Sequence, residues 1–286
     1  MNEEFDLIQR GESKHCMCAP LMNAEDGVFI PMDTEQYLFS LEVEESKSKR
    51  KNGKWNRDPL FDFSLLNTVK SCIGYTFVKY GSFGSNYGWL LMDGYQKRLS
   101  DEGINQIYDT LKEWGMNSRG AKLTKFDAFK QSIQMNKNLL DKLCDYSLLD
   151  FCDNTKSAQI KNILLNLFDN LNLSQSNPFV TNAKTLHIII PQLLIPVDRT
   201  FTVGYFCDYK FSDVPKDTKE QVDWIMSIHS LLANVYIKHK DWIDDYSLEA
   251  NCPITKLLDN MVMGFSLYRN AYINEFSASL ISDHWK

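Results

Sequence analysis

Residues 178–202 read PFVTNAKTLHIIIPQLLIPVDRTFT, and the punctuation of this stretch decides how the rest of the chain is read. Lys184, Leu186 and the run His187–Ile190 predict one helix. Pro191 stops it, because a proline inside a helix removes a backbone donor and clashes with the preceding turn. After the linker, Pro196 holds an extended backbone into Val197, and Asp198 falls where an N-cap belongs, ahead of a helix over 199–206. A carboxylate fixed at a helix start, one helix away from a lysine, is usable catalytic geometry. It is also a good cap.

Working outward, the chain has 286 residues, 44% hydrophobic and 13% aromatic, with only 13 glycines. That is enough for one large core or two smaller domains, and it describes packed rather than disordered protein. No apolar run reaches the roughly 18 residues a bilayer requires. The polar, acidic start MNEEFDLIQRGESKHCMC fits neither a signal nor a transit peptide. Cys16, Cys18, Cys72, Cys144, Cys152, Cys207 and Cys252 are odd in number and scattered, which reads as reduced thiols in the cytoplasm. The formal charge of -6 argues against a protein that coats DNA non-specifically. Two basic stripes stand out locally: Lys47, Lys49, Arg50, Lys51, Lys54 and Arg57, and then Arg119, Lys122, Lys125 and Lys130. Taken alone, each stripe reads as solvated surface.

The organisation is a small appendage, 1–57, and a helical domain, 58–286. In the appendage, GVFIPM and QYLFSLEVEE alternate as short strands do, followed by the charged loop ESKSKRKNGKWNRDP. From Pro59 onward the pattern is helix after helix, so the expected fold class is mainly α. Ser100 opens a helix that Gly115 closes, Thr124 with Asp127 opens the next, and Thr155 opens a third. Asp217 with Glu220 caps a long amphipathic helix running to about 243, and Pro253 starts the last one. The segment YGSFGSNYGW, with Gly81, Gly84 and Gly88 among aromatics, reads as a flexible loop.

Two segments carry a resemblance. WGMNSRGAKLTKFDAF (114–129) is similar to the Trp-Gly-Met-His-Arg-x-Gly…Ala-Lys-Met signature of a widespread, poorly characterised bacterial family. KTLHIIIPQLLIPVDRTFT (184–202) is similar to that family's Ser-Lys-x-Leu-His-x-Leu-x-Pro…Pro-Pro-x-Asp-Arg-x-Tyr-Thr block. Asn117 stands in place of the motif histidine, Ala183 in place of its serine and Phe201 in place of its tyrosine. More remotely, the second segment resembles the helix-hairpin-helix DNA glycosylases. Pro178-Phe179-Val180-Thr181 stands for their Pro-Gly-Val-Gly hairpin with both glycines lost, Lys184-Thr185-Leu186 for Lys-Thr-Ala, and Pro196-Val197-Asp198 for the segment with the catalytic aspartate.

That resemblance implies a helical glycosylase-like domain that excises a damaged or modified base from double-stranded DNA, including a modified base of phage DNA. It implies Asp198 as the catalytic carboxylate and Lys184 as the lysine of lyase-competent members. Thr181 and Asn182 of the hairpin, with Arg199, Arg119 and Lys122, would contact DNA. Trp114, Tyr87, Phe83 and Trp89 would form the base pocket or wedge, since a flipped base needs aromatic stacking. The bland readings stand beside these: Asp198 as a cap, Lys184 as a solvated lysine of a first helical turn, and His187 as a core histidine. His15, Cys16 and Cys18 lack further ligands for a zinc site, so neither metal nor cofactor is expected. A monomer is expected. The rival functions are a non-enzymatic nucleic-acid-binding module and a phage-defence nuclease or effector.

Overall fold

The computed structural model describes residues 66, 69–70, 72–74, 76, 87–88, 90, 94–117, 122–176, 178–206 and 215–266. Among these the fold is mainly α, 76% helical and without a strand. The expected appendage 1–57, with its strands and basic loop, lies outside the described residues, as does the helix start at Asp58-Pro59.

Ser100 caps helix α1 (Asp101–Glu113), its hydroxyl accepting from the Gly103 amide at 3.2 Å, with Asp101 and Glu102 placed at the positive end of the helix dipole. The helix ends as predicted, through a Schellman turn. Gly115 takes φ 83°, its amide donates to Lys112, and the Met116 amide reaches back to the Leu111 carbonyl at 3.0 Å. Asn117 follows at φ 76°, a region asparagine tolerates better than most residues, and its side chain accepts from the Leu123 amide at 2.7 Å.

The next helix departs from expectation twice. It begins at Phe126 with no side-chain cap, because the Thr124 hydroxyl donates instead to the Asn172 carbonyl at 3.1 Å. It then breaks at Asn136, whose side-chain Nδ2 donates to the Ser132 carbonyl, leaving α2 (Phe126–Met135) and α3 (Lys137–Leu143). A short 3-10 turn (Leu148–Cys152) follows under a Ser147/Asp150 capping box. Helix α4 (Asn154–Asn170) is capped by Asp153, which accepts from the Lys156 amide at 2.8 Å, so Thr155 lies inside its first turn rather than before it.

Helix α5 (Pro178–Ile189) runs through the middle of the molecule, against α1 and α4, and every residue from Phe179 onward is buried. A helix enclosed on all sides belongs to a core, yet this one carries Thr181, Asn182, Lys184, Thr185 and His187. Asp217 caps α6 (Thr218–Lys238) by accepting from Glu220 N at 3.1 Å. The single long helix expected here breaks at His239 into α6 and α7 (Lys240–Glu249). Helix α8 (254–266) starts after Pro253 as expected. It lies hard against the helical residues 72–74 and 76. Gly264 faces the Cys72 carbonyl so closely that any β-carbon would overlap it, and the Thr76 hydroxyl donates to the Asn260 carbonyl at 2.7 Å.

Candidate functional site

The path from α5 to Asp198 is fixed by side chains. The Arg98 guanidinium donates to the Ile189 carbonyl at 3.0 Å, placing a cation at the negative end of α5. The buried segment Leu194–Val197 has no ladder partner among the described residues, and two imidazoles serve its backbone. His187 Nδ1 bonds the Leu194 carbonyl at 2.6 Å, and the Ile195 amide donates to His229 Nε2 at 2.7 Å. Leu194 O only accepts, so His187 carries its proton on Nδ1 and its Nε2 accepts from the Tyr87 hydroxyl at 2.7 Å. By the same logic His229 Nδ1–H donates to Ile225 O at 2.7 Å. Burial pulls both rings far below the usual histidine value, His187 to about 3 and His229 to about 4. His187 is therefore the core histidine that its apolar neighbours suggested.

Asp198 emerges at the end of this strap and caps a π turn (Arg199–Val203) that continues into Gly204–Phe206. Its Oδ1 accepts from the Thr200 and Phe201 amides at 2.7 and 3.2 Å, while its own amide donates to the Thr202 hydroxyl at 3.0 Å. Its Oδ2 accepts from Lys184 Nζ at 2.8 Å. Burial alone would push this carboxyl up, but the Lys184 ammonium and the Phe201 and Thr200 amides outweigh it and hold Asp198 below the ordinary carboxylate range. The Asp198 side chain keeps 27% exposure and the Lys184 side chain only 9%. The lysine is not the solvated first-turn residue expected from sequence. It lies beyond the first turn of a helix that starts at Pro178, inside the protein and paired.

Trp114 closes the site from the end of α1. Its ring lies 5.9 Å from Lys184 Nζ and 5.2 Å from Lys256 Nζ, and 5.1 Å from the Tyr87 ring. Lys256 belongs to a second ion pair, with Asp259 at 2.5 Å, both side chains under 5% exposed. Asp259 Oδ1 has no hydrogen-bond partner among the described residues. Burial pushes Asp259 up, against the pull of Lys256 and, farther off, Lys184, while the Asp198 charge adds to the rise. Two cations and two carboxylates thus share one indole.

The two sequence motifs converge here. The Leu123–Ser174 bridge and the Lys122 amide bond to the Ser176 hydroxyl, 2.9 Å, stitch the 114–129 segment to the entry of α5. Trp114, Lys184 and Asp198 are brought together, and Arg199 and Lys122 are exposed. Other expectations need correction. Pro178–Thr181 is the first turn of α5, not a hairpin, and Thr181 and Asn182 have 0% exposure, which removes them as surface contacts for phosphate. Tyr87 and Gly88 are helical and buried rather than part of an exposed loop, because the Tyr87 hydroxyl is needed by His187. Phe83, Trp89 and Arg119 lie outside the described residues, as do His15, Cys16 and Cys18. Among the described residues no group of three or more His, Cys, Asp or Glu side chains could hold a metal, and no helix is long and apolar enough to cross a membrane.

Sequence reasoning missed Lys256 and Asp259. Their signal was a lysine and an acid three residues apart inside an apolar helix, between Thr255 and Val262, where a solvated face has no place. No protein family, curated protein or solved structure matches this chain.

Proposed function

We propose that the protein is a DNA glycosylase-like enzyme, cleaving the N-glycosidic bond of a damaged or modified base with Asp198 as the acting carboxylate. The observation that carries this reading is the Lys184–Asp198 pair. It holds an ionised, partly exposed carboxylate at the start of a helical turn, bonded to an ammonium that lies over the ring of Trp114. Breaking the bond sends its electron pair to the leaving base and leaves oxocarbenium charge on the sugar. A fixed carboxylate stabilises that charge and accepts the proton of the incoming water. Lys184 donates to Asp198, so its attack on the sugar would first require handing a proton across the 2.8 Å bond. Hydrolysis by water is therefore the first step and any strand cleavage by Lys184 a later one. Exposed Arg199 and Lys122 supply cations for the phosphates of duplex DNA.

One observation favours a second reading, a non-enzymatic nucleic-acid-binding module. Both Asp198 oxygens already have protein partners, as a cap needs. The full chain incubated with duplexes carrying modified bases separates the two. Alkali-labile abasic sites that drop on the order of 100-fold in Asp198→Asn support the enzyme. Excision undiminished in that variant overturns the mechanism. Salt-sensitive binding without abasic sites, preserved in the cap-retaining Asp198→Ser, supports the module.

A further inference from the structure

We propose that Lys256 and Asp259 are the second half of this site, a positioning pair electrostatically coupled to Asp198 and Lys184 across the indole of Trp114. The proposal rests on reading Asp198 as the acting carboxylate, but its geometry stands alone. Trp114 lies 5.9 Å from one ammonium and 5.2 Å from the other, and each ammonium is paired with its own carboxylate, at 2.8 and 2.5 Å. The two ion pairs lie in a region where water screens little. Loss of one carboxylate therefore leaves an uncompensated ammonium facing the remaining pair.

The titratable and charged groups around the centre come from each packed element. Among the described residues they are Lys184 and His187 on α5, Asp198 at the π turn, and Lys256 and Asp259 on α8, with the Tyr87 hydroxyl and the Arg98 guanidinium behind His187. His187 is fully buried and neutral, so it adds no charge near neutral pH. Asp259 senses both Lys184 and Asp198, the physical link between the halves. Neither residue of the second pair touches substrate in this scheme; both act through Asp198.

The test is a carbon-13 carboxyl titration of the intact chain by NMR, with Asp198 and Asp259 assigned from Asp198→Asn and Asp259→Asn. Asp259, pushed up by burial, takes its proton before Asp198, which is held below the ordinary range, so the coupling is read at Asp259: Asp198→Asn is expected to lower the Asp259 midpoint by about half a unit or more. Asp198, being part-exposed, tolerates that change. Asp198→Glu restores the midpoint. An Asp259 midpoint that stays put in an Asp198→Asn variant retaining wild-type circular dichroism overturns the proposal. A titration shift in a protein with no excision on any duplex refutes the glycosylase reading and leaves the coupled pair standing.

Discussion

Lys112–Asp109 and Lys256–Asp259 are the same pair of residue types at the same helical spacing, and they are physically different objects. The first joins side chains 47% and 40% exposed on the outer face of α1, the second side chains 4% and 3% exposed inside the protein. On the surface, water solvates both charges whether or not they meet, so meeting gains little. Inside, each charge has lost its water and depends on the other, so the pair is worth most when one member is taken away. Lys137–Asp141 belongs to the surface class, while Lys184–Asp198 sits between the two, with one buried partner and one at the boundary.

The sharpest way to break this contrast is truncation of the lysine in each class. Lys256→Ala is expected to cost about 3 kcal/mol or more in urea unfolding at neutral pH, since Asp259 is left buried without its partner. Lys112→Ala should cost under about 1 kcal/mol in the same assay. Equal losses would sink the distinction.

Acid is the next lever. His187 and His229 are neutral in the folded chain, whereas an unfolded histidine titrates at about 6.5. Below that value the unfolded chain binds protons that the folded one refuses. Their stability is therefore fully present above about pH 6.5, falls as pH drops, and levels off only near 4 for His229 and 3 for His187. Between pH 7 and pH 5 each should remove on the order of 2 kcal/mol. His229→Gln, which keeps an acceptor for the Ile195 amide, should shed its share of that loss; an unchanged pH slope would show that the strap is not held this way.

The smallest expected effect is at the boundary. Asp198→Asn and Asp198→Ala both leave the Lys184 ammonium without its carboxylate, and Asp198→Ala, which also loses the Thr200 and Phe201 contacts, should cost about 1 kcal/mol more than Asp198→Asn. Thermal unfolding of the two variants side by side resolves the order.

Much of this was legible because it is local. Ser100, Asp198, Asp217, Gly115 and Pro191 punctuate the chain where the sequence predicts, since caps and stops act within one turn. Asn136 and His239 interrupt helices whose apolar pattern runs on unbroken, so periodicity alone passes over them. Thr124 looked like a cap and instead reaches Asn172, a partner 48 residues away that no local pattern reveals. The same limit hid the depth of Lys184 and the meeting of Lys256 with Trp114. A lysine's solvation is decided by which helices surround it, and α5 is enclosed from both sides.

Gly264 has a consequence for anyone scanning this chain by mutation. Alanine there cannot be accommodated without backing α8 away from Cys72, and α8 carries Lys256 and Asp259. The position would score as intolerant, and its variants would lose whatever the four-charge centre does, although a glycine offers no chemistry of its own. Second-site changes would rescue such a variant poorly, since the added β-carbon meets the Cys72 backbone carbonyl, and of its near neighbours only the Thr76 hydroxyl belongs to a side chain that can be trimmed.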